Sequence, residues 1–242
     1  MNISLGINKL CAWSFHESET QHKLQKSEGD FVWNKSSSFV ADSISKRNQR
    51  RMSNLSKLSV GLAATVSENH AIDHVVFSSR YGELENSMQL VEAIVDKDLL
   101  SPMAFSQSVH NTSSGLYSIL KDEHCAMEAI SAGEDSFVMG LVSAYAFLKT
   151  NLSSQVLYVY SDWNIPEVLR SMVNSSQHSA NAVAMLLKAE DSGGIPIAIQ
   201  KNLNSTCHEL DDCKQFLTFV FEHFETSKSA SLNTKKWTFR AL

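Results

Sequence analysis

Apolar residues recur at steps of three or four along several segments of the chain, a pattern typical of helices that bury one face. The repeat is clear in segment 46–67, at Met52, Leu55, Leu58, Leu62 and Val66. Further helices are predicted at 83–95, from 112 or 113 onward, at 135–149 and at 209–224. Asn111 is placed to cap the helix that follows it, and the carboxylates of Glu134 and Asp135 suit the start of the next one.

Short runs of β-branched and aromatic residues alternate with these helices and predict strands. They lie at 3–13, 73–79, 125–131, 155–160, 182–188, 195–200 and 234–240. The strands at 125–131 and 155–160 are expected to be buried, whereas segment 16–38 is polar and shows no clear period. The alternation predicts an α/β layered fold, with a mostly parallel central sheet flanked by helices. Since no repeat or low-complexity linker divides the chain, we expect a single domain over 1–242.

Composition narrows the class of protein. The content of 43% hydrophobic and 19% charged residues is typical of a globular protein. The net charge is −5, and the basic cluster at 46–51 has no accompanying aromatic set, which argues against nucleic-acid binding. No apolar run has the length of a membrane span, and the N-terminus lacks the features of a signal peptide. A cytoplasmic location is therefore expected.

Candidate nucleophiles and ligands give weak signals. Cys125 falls within a predicted strand, where a buried and inert thiol is expected. The spacing of Cys207, His208 and Cys213 is unlike that of a zinc site. The chain has no Gly-x-Ser-x-Gly elbow, no Gly-rich phosphate loop and no dinucleotide fingerprint, so no cofactor or metal is expected. His110 is near serines, but a histidine that packs locally in a loop is the simpler interpretation.

Two stretches are more specific: SPMAFSQSVHNTSSGLYSI at 101–119 and ISAGEDSFVMG at 130–140. They resemble the run-up and the nucleophile segment of β-ketoacyl synthases, condensing enzymes of the thiolase superfamily. In that family an Asn, small residues and a Gly open a helix, and a later strand ends at the reactive Cys. Asn111, Gly115 and Gly140 match this pattern, which puts Ala132 at the position of the nucleophile.

The resemblance also implies that the catalytic histidines are missing. The family uses two downstream histidines in His-Gly-Thr and Gly-His contexts. The histidines after Ala132 are His178, His208 and His223, and none of them adjoins a glycine. The chain is about half as long as a full ketosynthase and resembles its N-terminal half. The resemblance therefore implies a thiolase-like fold with no catalytic residue of its own.

Segment 79–90, SRYGELENSMQL, resembles the Ser-Arg-x-Gly-Glu segment of short ketosynthase-like chain length factors from bacterial aryl polyene pathways. This likeness implies a non-catalytic subunit that forms a heterodimer with a full-length β-ketoacyl synthase, shapes its acyl tunnel and serves acyl carrier protein indirectly. The residues implied to line the partner's pocket are Met103, Ala104 and Phe105. The residues implied at the interface are Asn111, Cys125, Ala126, Met127, Glu128, Ala129, Ile130 and Ser131, with strand 125–131 antiparallel to its counterpart.

Two alternatives stay open on sequence grounds. One is an independent acyl-transfer or thioester-hydrolysing enzyme that uses Cys125 or a serine near His110, which predicts a reactive thiol or hydroxyl. The other is a module that docks carrier protein, which would need a basic surface that the net charge of −5 does not indicate.

Overall fold

The computed structural model describes residues 2–26, 29–172, 179–192, 194–202, 211–223, 230–234 and 236–241. Its strands are β1 (Asn2–Phe15), β2 (Thr20–Lys26), β3 (Gly29–Ser36), β4 (His74–Ser78), β5 (Ala126–Ile130), β6 (Val156–Asp162), β7 (Asn181–Ala189), β8 (Ile195–Lys201), β9 (Ser231–Asn233) and β10 (Trp237–Ala241). Its helices are α1 (Lys46–Gln49), α2 (Asn54–Val66), α3 (Leu84–Val95), α4 (Pro102–Ser106), α5 (Thr112–Lys121), α6 (Ser136–Thr150) and α7 (Asp212–His223).

The strands of the described residues form one mixed sheet in the order β5-β4-β6-β7-β1-β8-β10-β9. Strands β5, β4 and β6 run parallel, because helices α3 to α6 provide the crossovers that parallel pairs need. The pairs β6–β7, β7–β1, β1–β8 and β8–β10 are antiparallel. The predicted parallel arrangement therefore holds for the β5-β4-β6 end and for the β1–β3 pair, not for the middle of the sheet.

Strand β1 serves two neighbours on one edge. Its first half pairs with β8 and its second half, from Leu10 to Phe15, pairs with β3. Strands β2 and β3 form a hairpin that the sequence did not indicate. The reason is that the side chains of 20–23 in β2 are all exposed, so no alternation between apolar and polar residues marks the strand.

The core lies on both faces of the sheet. Helices α6 and α7 cover one face, where Leu141 and Phe216 are fully buried. Helices α2 and α5 cover the other, where Leu58 and Tyr117 are buried. Strand β6 lies between the two layers, and every one of its residues is buried. This layered α/β arrangement agrees with the predicted architecture.

Three local expectations were wrong. The helix predicted at 46–67 is broken, because Ser53 starts a new helix by accepting a hydrogen bond from the backbone of Ser56 at 2.9 Å. Asn111 occupies the N-cap position of α5, but its side chain makes no capping hydrogen bond. Strand β5 is exposed rather than buried, because among the described strands it pairs with β4 alone and forms the edge of the sheet.

Two helical glycines offer a matched test of this packing. A Cβ on Gly140 would overlap the ring of Tyr158 and lie 3.0 Å from the Cβ of Ser78. The Tyr158 ring cannot yield easily, because its hydroxyl donates a 2.6 Å hydrogen bond to the Phe137 carbonyl. We expect Gly140→Ala to lower the free energy of unfolding by about 1–3 kcal/mol in urea denaturation followed by circular dichroism.

The control is Gly115→Ala in α5, where a Cβ would meet nothing within 4 Å. Because alanine favours helix over glycine, this variant should be neutral or gain up to about 1 kcal/mol. Equal unfolding midpoints for the two variants would contradict the close approach of α6 to the sheet.

Candidate functional site

The strand-to-helix turn predicted at the nucleophile position is present. After β5 the chain passes through Ala132 into a short 3-10 helix, Gly133–Asp135, and then into α6. Gly133 has a φ of +59°, in the left-handed region that favours glycine. The hydroxyl of Ser136 accepts from the backbone of Ala132 at 2.9 Å and donates to the carbonyl of Gly133 at 2.8 Å. The elbow is therefore intact, and the side chain at its tip is an exposed methyl group.

Negative charge surrounds this elbow. Glu134 and Asp135 stand at the start of α6, where a condensing enzyme would need to favour a thiolate. Lys236 lies 3.1 Å from the Asp135 carboxylate and 3.7 Å from that of Glu134, and Arg80 lies 3.8 Å from Glu134. The indole of Trp237 also donates to Asp135 at 3.2 Å. The charges serve to hold strand β10 and segment 79–83 against the elbow.

A buried carboxylate that the sequence analysis missed holds the segment 79–83. Asp162, at the end of β6, accepts hydrogen bonds from the Ser79 hydroxyl at 2.7 Å and from the backbone of Arg80 at 2.9 Å. Its other oxygen accepts from the Tyr160 hydroxyl at 2.7 Å. Burial raises the pKa of Asp162 to about 6, although the hydrogen bonds from Ser79 and Tyr160 lower it. A lone Asp at a strand end carries no motif that would have revealed this role.

Glu83 closes the same segment on its other side. Its carboxylate accepts from the hydroxyls of Ser53 at 2.8 Å and Ser56 at 2.7 Å, and from the amide of Asn86 at 3.1 Å. Burial raises the pKa of this carboxyl, and the two serine hydrogen bonds oppose the shift. The Ser-Arg-x-Gly-Glu segment is thus a structural clamp that joins the starts of α2 and α3 to the end of β4.

The glycine of that segment permits a close approach. Gly82 has a φ of +55°, and a Cβ there would lie 2.8 Å from the ring of His110. That ring hydrogen-bonds to the carbonyl oxygen of Ser79 at 3.2 Å, and the Ser113 hydroxyl lies against Ser56. His110 therefore packs locally, as the simpler interpretation predicted, and its observed partner is a carbonyl rather than a serine hydroxyl.

The predicted pocket-lining residues lie on the short helix α4. Ser101 caps this helix by accepting from the backbone of Ala104 at 3.3 Å, and Pro102 provides its first residue. The side chains of Met103 and Phe105 are 53% and 64% exposed, and Ala104 is half-buried. The helix presents large apolar groups to its surroundings, and their role in lining a partner's pocket stays a prediction.

Further apolar side chains continue this surface. Helix α3 has no buried residue, and α3 is tied to the end of α4 by hydrogen bonds from Asn86 and Ser87 to the carbonyls of Gln107 and Ser108. We define the apolar band as the exposed residues Val91, Ile94, Val95, Leu99, Leu100, Met103, Phe105 and Val109. These side chains lie within segment 91–109, which covers the end of α3, the whole of α4 and the chain around them.

Strand β5 forms the exposed edge of the sheet beside α5. Ala126, Glu128 and Ala129 are exposed, and Met127 and Ile130 are half-buried. Nearby, Asn111 and Ser131 are exposed as well. The structure thus places the predicted interface residues of 126–130 on an edge strand, and the contact of these residues, Asn111, Cys125 and Ser131 with a partner stays a prediction.

Cys125 has the properties of an inert thiol. It is half-buried, and its backbone N–H donates to the Glu123 carboxylate at 3.2 Å. Burial and the adjacent Glu123 charge raise its pKa from 9.0 to about 12. Cys213 is fully buried, whereas Cys207 and His208 lie outside the described residues, as does His178.

A cavity of about 10 Å³ lies between segment 79–83 and Trp163, which is room for one water molecule. No three His, Cys, Asp or Glu side chains in the described part of the chain are grouped so that they could hold a metal ion. Among the described helices, none has the length and hydrophobicity that crossing a bilayer requires.

Comparison with known proteins identifies the family. Residues 21–239 match the family model described as Beta-ketoacyl synthase, N-terminal domain. The chain therefore belongs to the β-ketoacyl synthase family, which confirms the resemblance of its two motifs. No curated protein matches the chain.

Solved structures agree on the thiolase-like ketosynthase fold. One is the ketosynthase ApeO in complex with its chain length factor ApeC from Xenorhabdus doucetiae, at 24% identity and a TM-score of 0.70, over 84% of this chain and 87% of that chain. Another is the ishigamide ketosynthase/chain length factor, which has 15% sequence identity and a TM-score of 0.54 over 68% of this chain and 53% of that chain. A third is a type II polyketide synthase acyl-carrier protein in complex with its ketosynthase bound to the hexaketide. It has 10% sequence identity and a TM-score of 0.52 over 79% of this chain and 64% of that chain.

Because the pKa of Asp162 is raised, we expect the stability of the fold to depend on pH. Since its folded pKa of about 6 lies above the usual 3.8, the folded chain holds the proton more tightly than the unfolded chain. This stabilisation is present below about pH 4 and is lost as pH rises through 6. Asp162→Asn retains an oxygen for Ser79 and Arg80 but does not titrate. As the pH rises from 4 to 7, we expect the free energy of unfolding of wild type to fall by about 2–3 kcal/mol relative to that of this variant.

The measurement is urea denaturation at a series of pH values. Asp212, whose pKa burial also raises to about 6, is present in both proteins and cancels in the difference. Asp96→Asn, at an exposed position after α3, is the control and should follow wild type. A pH-independent difference between wild type and Asp162→Asn would contradict the assigned pKa.

Because the pKa of the Cys125 thiol is raised, we expect this thiol to be alkylated slowly. With a pKa of about 12, almost none of it is thiolate at pH 7.5. We expect iodoacetamide to modify the Cys125 peptide at least about 100-fold more slowly in the folded chain than in guanidinium-unfolded chain, as measured by mass spectrometry. Equal rates in the two states would contradict the raised pKa, and faster alkylation of the folded chain would support the thiol-enzyme alternative.

Proposed function

We propose that this chain is a non-catalytic chain length factor subunit that pairs with a full-length β-ketoacyl synthase and shapes the tunnel for its acyl chain. The observation that carries this proposal is Ala132 at the tip of an intact elbow. An alanine methyl cannot form a thioester, so the chain cannot hold a growing acyl group at this position. The partner supplies the nucleophile and the histidines.

The charges at the elbow support the same proposal. Glu134 and Asp135 favour the positive end of the α6 dipole, so they stabilise the helix. The same carboxylates would raise the pKa of any thiol placed at Ala132, which opposes catalysis. The site is thus suited to a structural role in which stability of the turn matters more than reactivity.

The mechanism we propose is steric. The short helix α4 exposes Met103 and Phe105, which can enter a cavity of the neighbouring subunit. Large apolar side chains that fill the far end of a tunnel limit the length of chain that fits, since overfilled apolar space is costly. The apolar band around them would be covered by the same partner, which removes its exposure to water.

The pathway class comes from the resemblance of segment 79–90 to chain length factors of aryl polyene systems. We therefore propose an aryl polyene or related polyketide product, made in the cytoplasm on an acyl carrier protein. The carrier protein would deliver its chain to the ketosynthase partner and meet this subunit only through the complex. Similarity to a ketosynthase that is in complex with its chain length factor supports a heterodimer.

Co-expression with a full-length β-ketoacyl synthase from the same organism tests the proposal. We expect a stable 1:1 complex by affinity purification and native mass spectrometry, and synthesis only when both subunits are present. In that complex, Phe105→Ala should lengthen the product by one or more extension units, because it empties tunnel space. Val40→Ala, at another exposed apolar residue, is the control and should leave product length unchanged.

Two results would contradict the proposal. A chain that stays alone in the presence of the ketosynthase would exclude the subunit role. If the complex forms but wild type, Phe105→Ala and Met103→Ala give products of the same length, the steric role of α4 is excluded. Only the pairing with the ketosynthase then remains of the proposal.

A further inference from the structure

The outer edge of β5 carries a charge whose position has consequences for pairing. Among the described strands β5 pairs with β4 alone, so the backbone N–H and C=O groups of its other edge are available to another strand. An exposed edge of this kind is a template for pairing with a further chain, and proteins commonly control it with a charged residue. Glu128 is the central residue of the five in β5.

The contacts of Glu128 fix the face on which its carboxylate lies. One oxygen is 3.3 Å from Nε2 of His74, in the neighbouring strand β4, and the other accepts from the Ser143 hydroxyl in α6. The carboxylate is therefore on the α6 face of the sheet, with β4 on its inner side. Its side chain is 48% exposed, so the carboxylate remains accessible beside this edge strand.

A second copy of this chain would bring two such carboxylates together. Two copies that extend one sheet with the same layers are related by a two-fold axis perpendicular to the sheet, and their edge strands pair antiparallel. If the axis passes through Glu128, the two Glu128 side chains are directly opposite, with Cβ atoms about 4.5–5.5 Å apart. If the axis passes through Met127 or Ala129, they are diagonal neighbours about 7–8 Å apart.

Each of these registers is unfavourable for a pair of identical chains. Like charges directly opposite each other across a strand pair are destabilising. Covering the edge also removes water from the exposed half of each carboxylate, which increases the cost of bringing the two carboxylates together, although each has His74 of its own chain beside it. A strand of different sequence that offers a neutral or cationic residue at the facing position avoids both costs.

We infer that Glu128 selects the partner of this edge: it excludes a second copy of the chain and admits a different subunit whose facing strand is neutral or basic at the matched position. The inference rests on the proposed function for the identity of that subunit, a ketosynthase. The exclusion of a second copy depends only on the geometry of β5. Repulsion between two copies of this one residue keeps the subunit available for its heterodimer.

The test measures self-association of the full chain by sedimentation equilibrium and native mass spectrometry. Wild type is expected to stay monomeric. In Glu128→Gln, which can still accept the Ser143 hydrogen bond, the dimer dissociation constant should fall at least about tenfold relative to wild type. Glu68→Gln, at an exposed carboxylate outside β5, is the control and should match wild type.

A charge exchange separates the effect of charge from that of side-chain size. Glu128→Lys alone should remain monomeric, because like charges again face each other. An equimolar mixture of Glu128→Lys and wild type, with one chain mass-labelled, should form mixed dimers in preference to either homodimer. Hydrogen exchange of the amides of 126–130 should slow in the mixed dimer and in the Glu128→Gln dimer, which locates the contact at β5.

The inference is overturned if wild type dimerises as tightly as Glu128→Gln, or if Glu128→Gln stays monomeric over the same concentrations. It is also overturned if dimers form without protection of 126–130. Adding the ketosynthase to wild type and measuring complex formation tests the proposed function separately. If wild type ignores the ketosynthase while Glu128→Gln and the mixture dimerise through β5, the proposed function fails and the exclusion by Glu128 holds.

Discussion

The burial of strand β6 on both faces of the sheet constrains the candidate site as a whole. Every residue of β6 is inaccessible, so the carboxylate of Asp162 at its end must find hydrogen-bond donors within the protein. It takes them from the segment that follows β4, and this capture directs the chain into the turn that ends at Glu83. Within this segment Arg80 reaches Glu134 in the elbow, and helix α3 begins directly after Glu83. One buried group thus determines where several surface elements stand.

The elbow joins the end of β5 to the start of α6. A glycine in the left-handed region and two hydrogen bonds of the Ser136 hydroxyl hold this turn. A thiolate requires a positive potential at that helix start, whereas a methyl group does not. Carboxylates that suit the helix dipole can then occupy the first turn, and Asp135 gains Lys236 and Trp237 as partners.

Most of the regular elements could be predicted from the sequence, because their apolar residues have a clear period. Strand β6 and helix α6 are examples, and both lie within about two residues of their expected bounds. The β2–β3 hairpin could not be predicted, since its exposed side chains leave no period, and β5 was expected to be buried because composition cannot distinguish an edge strand from an inner one. The elbow followed from motif resemblance. Asp162 did not, because its role arises from contacts with residues 79–81, some 80 positions earlier.

The pairing of the first strand has a consequence for the order in which the chain can fold. Strand β1 has one neighbour that is close in sequence, β3, but its other neighbours are β7 and β8, so that Leu5 waits for Ala189 and Ile197. Contacts so distant in sequence slow folding and leave an apolar strand unpaired during synthesis. Lys9 and Ser4, polar residues of β1, interrupt its apolar stretches. The sheet is therefore complete only when β10, which pairs with β8, is present as well.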